Sequence, residues 1–141
     1  MGFCRATMVN AAHSSSCGFS DEGIANYGGA AAGWVLRLDN RVCVYHAGDT
    51  DVFSDMAIID DLYRPRYLLL PIGGNFTMGP EQAAYAWHKF FHYAKCVIPM
   101  HYLTFPLLKG DVPELKAQML NWDEHKTKVA TVIDSYADLL G

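Results

Sequence analysis

The sequence lacks several features that would assign a function quickly. No two of its four cysteines are spaced C-x-x-C, which argues against a cysteine-based zinc motif and against a thioredoxin-like redox motif. Cys43 and Cys96 lie within apolar stretches, where a thiol behaves as a small hydrophobic group. We therefore expect a chain with reduced cysteines, in the cytoplasm.

The chain also lacks long apolar segments and concentrated charge. No window reaches the roughly 18 apolar residues that a membrane-spanning helix needs, and the first ten residues do not have the pattern of a signal peptide. The formal net charge of −4 is small and spread along the chain. Neither nucleic acid nor a membrane is therefore expected as a partner.

Length and composition predict one domain over 1–141 with a sizeable core. The 141 residues are 51% hydrophobic, and the length is near the usual domain size of about 100–150 residues. Strand and helix signals alternate, as in a layered α/β or α+β domain. Predicted strands cover 6–9, 32–38, 42–45, 67–71, 96–99 and 128–133, and predicted helices cover 54–63, 80–93, 113–122 and 135–140.

Local signals define some of these elements further. A tight turn at 39–41 predicts an antiparallel hairpin between the strands on either side of it. Ser54 is the expected cap of its helix, with Met56, Ile59 and Leu62 spaced by three on the apolar side. The segment 14–29, rich in Ser, Gly, Asp and Asn, is predicted to be a long loop.

Three polar side chains follow predicted strands directly. His13 follows the strand at 6–9, Asp49 comes just after the strand at 42–45, and His101 ends the run Val97-Ile98-Pro99-Met100. A strand fixes the backbone while the side chain beyond its end faces a rim, and this is how rigid scaffolds present functional groups. Two histidines and one carboxylate are a common ligand set for a catalytic zinc with one position open for water.

Each of these residues also has a purely structural interpretation. Any single histidine is more often a polar core or surface residue than a ligand. Asp49 can be an ordinary turn aspartate, because the sequence Gly-Asp-Thr favours a turn. His46 can be a polar strand end, and His88 and His92, spaced i and i+4, can form a pair on a solvated helix face. The coincidence of three donors at strand ends, rather than any one of them, favours a metal site.

Longer blocks of sequence resemble the metallo-β-lactamase superfamily, and in particular its branch of poorly characterised metal-dependent hydrolases. The most specific block is the run Pro-Ile-Gly-Gly-Asn-Phe-Thr-Met-Gly-Pro at 71–80. The blocks at 12–16, 45–50, 70–80 and 98–102 occur in the family's order and cover nearly the whole chain. The resemblance implies an αββα sandwich of two pseudo-symmetric halves, with metals at its rim.

The resemblance assigns expected roles to single residues. His13 matches the histidine that completes the first metal's imidazole set, Asp49 matches the carboxylate that bridges two metals, and His101 matches the last histidine of the second metal. Asp49 and His101 are then the expected catalytic residues. The implied cofactor is a divalent metal, zinc or alternatively manganese, and the implied ligand is a small-molecule substrate. His46 and Thr50 are expected to orient the metal ligands, and Asn75 and Thr77 are expected to line the pocket.

One family motif is missing from the sequence. Members of the family carry an HxHxDH string that supplies further ligands, and no such string occurs here. The chain therefore resembles the carboxy-terminal half of the family fold, a mixed sheet with helices on one face. Its other sheet face is expected to need a homodimer partner or a complementing amino-terminal half.

Three functions remain open from the sequence. The first is a metal-dependent hydrolase of an ester, amide or phosphodiester, completed by a partner or by a missing amino-terminal half. The second is a non-catalytic half-fold or binding module with at most weak metal binding. The third is a hydrolase with a reduced one-metal site made by His13, Asp49 and His101 alone.

Overall fold

A mixed sheet of six strands is the framework of the chain. The structure is a computed structural model that describes residues 4–39, 42–122 and 131–133. The strands of the main sheet are β1 (Cys4–Asn10), β4 (Ala32–Leu38), β5 (Cys43–His46), β6 (Tyr67–Pro71), β7 (Cys96–Met100) and β8 (Thr131–Val132), side by side in that order. The helices are α1 (Met56–Tyr63), α2 (Pro80–Phe90) and α3 (Val112–Trp122), and a separate hairpin is made by β2 (Ser16–Phe19) and β3 (Ala25–Tyr27).

The sheet order places the helices on one face. β4 and β5 pair antiparallel, as the predicted hairpin requires, whereas β5, β6 and β7 pair parallel with α1 and α2 as crossovers. Each crossover steps to the next strand in the same direction, and because such connections are right-handed, both helices pack on the same side. This confirms the predicted mixed sheet with helices on one face.

The core lies between the sheet and these helices. The central side chains Tyr45, Leu68 and Val97 are fully buried and belong to neighbouring strands at matching register positions. Buried residues that cover them come from all three helices and the segment after α2: Met56, Ile59, Ala83, Trp87, Phe91 and Leu115. Cys43 and Cys96 are also buried, and loss of solvation raises the pKa of both thiols.

The opposite face of the sheet is also apolar. Met8, Trp34, His46, Leu69 and Ile98 form one row across five strands, alternating with the core positions along each strand. Met8 is 62% exposed and Trp34 44% exposed. A large apolar side chain gains about 1.5–3 kcal/mol when it is fully buried, and these two side chains are not fully buried in this chain.

Several local expectations were wrong. The segment 14–29 contains the hairpin of β2 and β3 rather than a plain loop. Helix α1 begins after Asp55, and the Ser54 hydroxyl donates to the Asp55 carboxylate instead of capping the helix. Leu62 is 63% exposed, because it lies outside the side of the helix that buries Met56, Ile59 and Asp60. The predicted helix at 135–140 and the first residues of the strand at 128–133 lie outside the described residues.

Candidate metal centre

The predicted ligands lie at a common edge of the sheet. β1 is antiparallel to β4, and β4 is antiparallel to β5, so β1 and β5 point the same way. β6 and β7 are parallel to β5. The carboxyl ends of β1, β5, β6 and β7 therefore meet at one edge, which we call the site edge, and the segments with His13, Asp49 and His101 all begin there.

Asp49 is held by the residues on either side of it. Gly48 has φ +67°, and a Cβ at this position would lie 2.5 Å from the carbonyl oxygen of Ala32, so the turn requires glycine. Thr50 is fully buried, and its hydroxyl oxygen accepts the backbone N–H of Ala12 at 2.9 Å. The Asp49 carboxylate itself is 55% exposed, so it faces solvent from a fixed backbone.

His101 occupies an unusual backbone conformation at the end of β7. Its φ is +53°, in the left-handed region that non-glycine residues adopt at a cost of order 1–3 kcal/mol. Gly73, beside it on the segment after β6, leaves room for the His101 carbonyl oxygen, which a Cβ at that position would touch. The turn redirects the chain at the site edge and leaves the imidazole 30% exposed.

Asp49 and His101 come together across the site edge. The Nδ1 atom of His101 lies 4.0 Å from the Oδ1 atom of Asp49. Two donors that each lie about 2.1 Å from one zinc ion are roughly 3.4 Å apart in tetrahedral geometry and cannot be more than about 4.2 Å apart. The observed 4.0 Å is below this upper limit but wider than the tetrahedral spacing, so a small approach of the two side chains would let both bind one divalent cation. The pair is too wide for a direct hydrogen bond.

His13 lies on the neighbouring segment but is not assembled with this pair. An isolated bridge joins Ala12 to Asp51, and the Asp51 N–H donates to the Ala12 carbonyl at 2.9 Å. The His13 Nδ1 atom lies 2.7 Å from the carbonyl oxygen of Ser14. Within 4–39, 42–122 and 131–133, no group of three His, Cys, Asp or Glu side chains is arranged to hold a metal ion.

The predicted supporting residues differ in their positions. The His46 Nδ1 atom accepts the backbone N–H of Gly48 at 3.1 Å, which fixes the turn that carries Asp49. Asn75 has φ +62° and lines a cleft at the site edge. Thr77 is buried, its hydroxyl directed at the Met78 carbonyl at 3.5 Å, so it supports the loop rather than the cleft surface.

Sequence reasoning missed the residues that complete this cleft. Its volume is about 340 Å³, and Leu107, Lys109 and Glu114 line it together with the loop after β6. The sequence offered little indication of these residues, because they lie after His101 in a stretch without a recognisable motif. The one available signal was Gly110. A Cβ at this position would overlap the Ile72 carbonyl oxygen, so a glycine here indicates that the backbones of the two segments pack closely.

Comparison with known proteins gives consistent matches. Residues 1–102 match the sequence model of a family described as the beta-lactamase superfamily domain. A UPF0173 metal-dependent hydrolase of Koribacter versatilis is 48% identical over 128 residues, covering 91% of this chain and 53% of that relative. A UPF0173 metal-dependent hydrolase of Methanoculleus marisnigri is 54% identical over 112 residues, covering 79% of this chain and 48% of the relative.

The solved structures agree with the sequence matches. Igni18, a metallo hydrolase from the archaeon Ignicoccus hospitalis, superposes with a TM-score of 0.72 at 35% identity, covering 94% of this chain and 49% of that one. The chain thus spans about half the length of the curated relatives and of this structure. Among the described residues, none of the helices is both long and apolar enough to cross a bilayer.

Proposed function

Because this chain belongs to the beta-lactamase superfamily, we propose that it forms the carboxy-terminal half of a metal-dependent hydrolase. The observation that carries the proposal is the approach of His101 Nδ1 to Asp49 Oδ1, 4.0 Å apart on the ends of two strands separated by β6. A carboxylate and an imidazole this close, both open to solvent, match the donors that zinc prefers.

These two residues would hold the cation, and His13 is the third proposed ligand. Its segment is already tied to the Asp49 segment by the bridge between Ala12 and Asp51. Rotation of the imidazole away from the Ser14 carbonyl would free its Nδ1 atom. A bound divalent ion supplies Lewis acidity, which lowers the pKa of water and polarises the ester, amide or phosphodiester bond under attack. Zinc is the proposed ion, and manganese is the alternative.

The residues around the pair position it. His46 holds the Gly48 turn, and Thr50 joins the Asp49 segment to the end of β1. Buried hydrogen bonds of this kind keep ligands in their productive orientation, and their loss typically costs 10–100-fold in metal affinity. Neither side chain has to contact the substrate to have this effect.

We propose that a further polypeptide segment completes the ligand set. The described residues bring only two of the proposed donors together, a catalytic zinc usually takes three protein ligands, and His13 has to turn away from Ser14 to become the third. The apolar face that includes Met8 and Trp34 offers a surface on which such a segment can pack. We propose a complementing amino-terminal half as the partner, with a second copy of this chain as the alternative.

The test is reconstitution with a defined partner. The chain is co-expressed with the part of the Koribacter versatilis relative that it does not cover, and zinc content and hydrolysis of lactam, ester and phosphodiester reporters are measured. We expect a stable complex with stoichiometric zinc and metal-dependent turnover, lost in Asp49→Asn. The control Asp61→Asn changes an exposed aspartate on α1 and should keep full activity. A complex without zinc, or turnover insensitive to Asp49→Asn, contradicts the proposal.

The second candidate function is a non-catalytic half-fold or binding module. The grouping of only two donors among the described residues favours it. It predicts that the reconstituted complex assembles through the apolar face but contains no metal and hydrolyses none of the reporters. Zinc content therefore separates the two functions directly. A one-metal hydrolase made by this chain alone would instead be active without any partner.

A further inference from the structure

We propose that the cleft beside the candidate metal centre binds a small zwitterion of the amino-acid type, with an apolar side chain. The cleft lies between the loop after β6 and the segment that joins β7 to α3, and its volume is about 340 Å³. Small-molecule sites start at about 300 Å³, so the cleft suits an amino acid or a short derivative rather than a large ligand.

One side of the cleft is bare backbone. A Cβ at Gly110 would overlap the Ile72 carbonyl oxygen and lie 2.8 Å from the Pro80 Cδ atom, and a Cβ at Gly73 would touch the His101 carbonyl oxygen. The close packing of these segments therefore requires glycine at both positions, so the backbone itself lines this side of the cleft. Pro80 and Leu107 add apolar surface, and Leu107 is 53% exposed.

The charges of the cleft select the ligand class. Lys109 and Glu114 both line it, yet within the described part of the chain the two do not approach to ion-pair distance. A simple anion would be attracted by the Lys109 ammonium and repelled by the Glu114 carboxylate. A ligand with its own carboxylate and ammonium can pair with both, while its apolar part contacts Leu107 and Pro80.

The cleft also adjoins the proposed site. Gly73 lines the cleft and packs against the His101 carbonyl, so a ligand here would lie next to the segment that carries the His101 imidazole. That this ligand is part of the hydrolase substrate rests on the proposed function. Its binding to the cleft does not, because none of the residues involved is a proposed metal ligand.

Three related probes test the charge requirement. Phenylalanine carries both charges, 3-phenylpropionate lacks the ammonium, and phenethylamine lacks the carboxylate. Each is titrated into the isotopically labelled chain in the presence of a chelator, and amide shifts of Gly74 and Gly110 are followed by NMR. We expect phenylalanine to bind more tightly than either single-charged probe. No shift at phenylalanine concentrations up to about 20 mM, on the order of the weakest useful affinities, overturns the proposal.

Charge variants assign the contacts. Lys109→Gln should weaken the binding of phenylalanine and of 3-phenylpropionate by about two- to fivefold, the range expected of exposed ion pairs. The binding of phenethylamine should be unchanged. Glu114→Gln should instead weaken the binding of phenylalanine and of phenethylamine. Lys95→Gln, at the opposite end of β7, and Glu22→Gln, in the hairpin, are matched controls. Equal binding of all probes, or no effect of either cleft variant, overturns the proposal. Because metal is excluded, such a failure leaves the proposed hydrolase function untouched.

Discussion

The buried hydroxyl of Thr50 accepts the backbone N–H of Ala12 at 2.9 Å and so joins the segment of Asp49 to the segment of His13. These segments are 38 residues apart in sequence. The same hydroxyl donates to the Asp51 carbonyl at 2.7 Å, and the Thr50 carbonyl accepts the Met78 N–H at 2.9 Å. One small residue therefore connects three of the segments that form the site edge.

Thr50→Val should destabilise the chain and loosen the site. The substitution keeps the shape of the side chain but leaves the Ala12 N–H without its acceptor, at a cost of about 1–3 kcal/mol in free energy of unfolding. Urea denaturation measures the loss, and zinc affinity of the reconstituted complex should fall by about 10–100-fold. Thr7→Val, a half-buried position on β1, is the matched control. Equal effects of the two variants would show that the Thr50 hydroxyl has no special role.

Asp60 should matter for stability more than the histidine beside it. Its fully buried carboxylate accepts the backbone N–H of His92 at 2.8 Å, and the His92 Nδ1 atom lies 3.3 Å from the same oxygen. Asp60→Ala removes a charged acceptor for the chain just after α2 and should cost about 1.5–3 kcal/mol. His92→Ala keeps the backbone N–H and removes only a side chain that is 68% exposed, so its cost should be smaller. A larger loss in His92→Ala, measured by urea denaturation, would contradict this account.

Tyr45→Phe should be neutral or stabilising at neutral pH. The Tyr45 hydroxyl is buried and has no hydrogen-bond partner among the residues that the structure describes, and the ring packs against Phe91 at 5.4 Å between centroids. Removing an unpaired buried hydroxyl eliminates its desolvation cost, of order 1–3 kcal/mol. Thermal denaturation measures the change. A clear loss of stability would mean that the hydroxyl has a partner in solution.

The same substitution should change the response to alkaline pH. Loss of solvation raises the pKa of the Tyr45 phenol above its ordinary value of about 10. With the folded pKa raised, this group contributes stability that is complete below pH 10 and is lost as the pH rises, because the unfolded phenol ionises first. Tyr45→Phe should therefore show a smaller decrease in stability between about pH 9.5 and 11. Parallel pH profiles for the two proteins would contradict the assignment.

Local patterns in the sequence were sufficient for most of the elements and for the expectation that Asp49 and His101 lie at one edge of the sheet. Continuous apolar runs gave β6 and β7 nearly residue by residue. His101 directly follows β7 and Asp49 lies three residues beyond the end of β5, and parallel strands bring their carboxyl ends to one edge. The family resemblance was confirmed by the match over 1–102.

What the sequence did not predict depends on tertiary contacts. The hairpin within 14–29 is composed of exposed residues, so no apolar alternation marked its strands. The His13 imidazole points toward the Ser14 carbonyl, and this rotamer cannot be predicted from the positions of the histidines in the sequence. The cleft of Lys109 and Glu114 forms only where the segments after β6 and β7 meet, and neither residue carries a signal of its own.

The most direct test of a shared metal site is paramagnetic broadening by Mn²⁺, which detects weak binding and locates it. Substoichiometric Mn²⁺ is added to the labelled chain, and amide signals are compared in the wild type, Asp49→Asn, His101→Ala and the control Asp61→Asn. We predict selective broadening at 49–51 and 101–103 that persists in Asp61→Asn and disappears in each of the other two variants. Broadening centred away from the site edge, or broadening at these amides that survives loss of Asp49 or of His101, would contradict the claim that these two residues hold one cation.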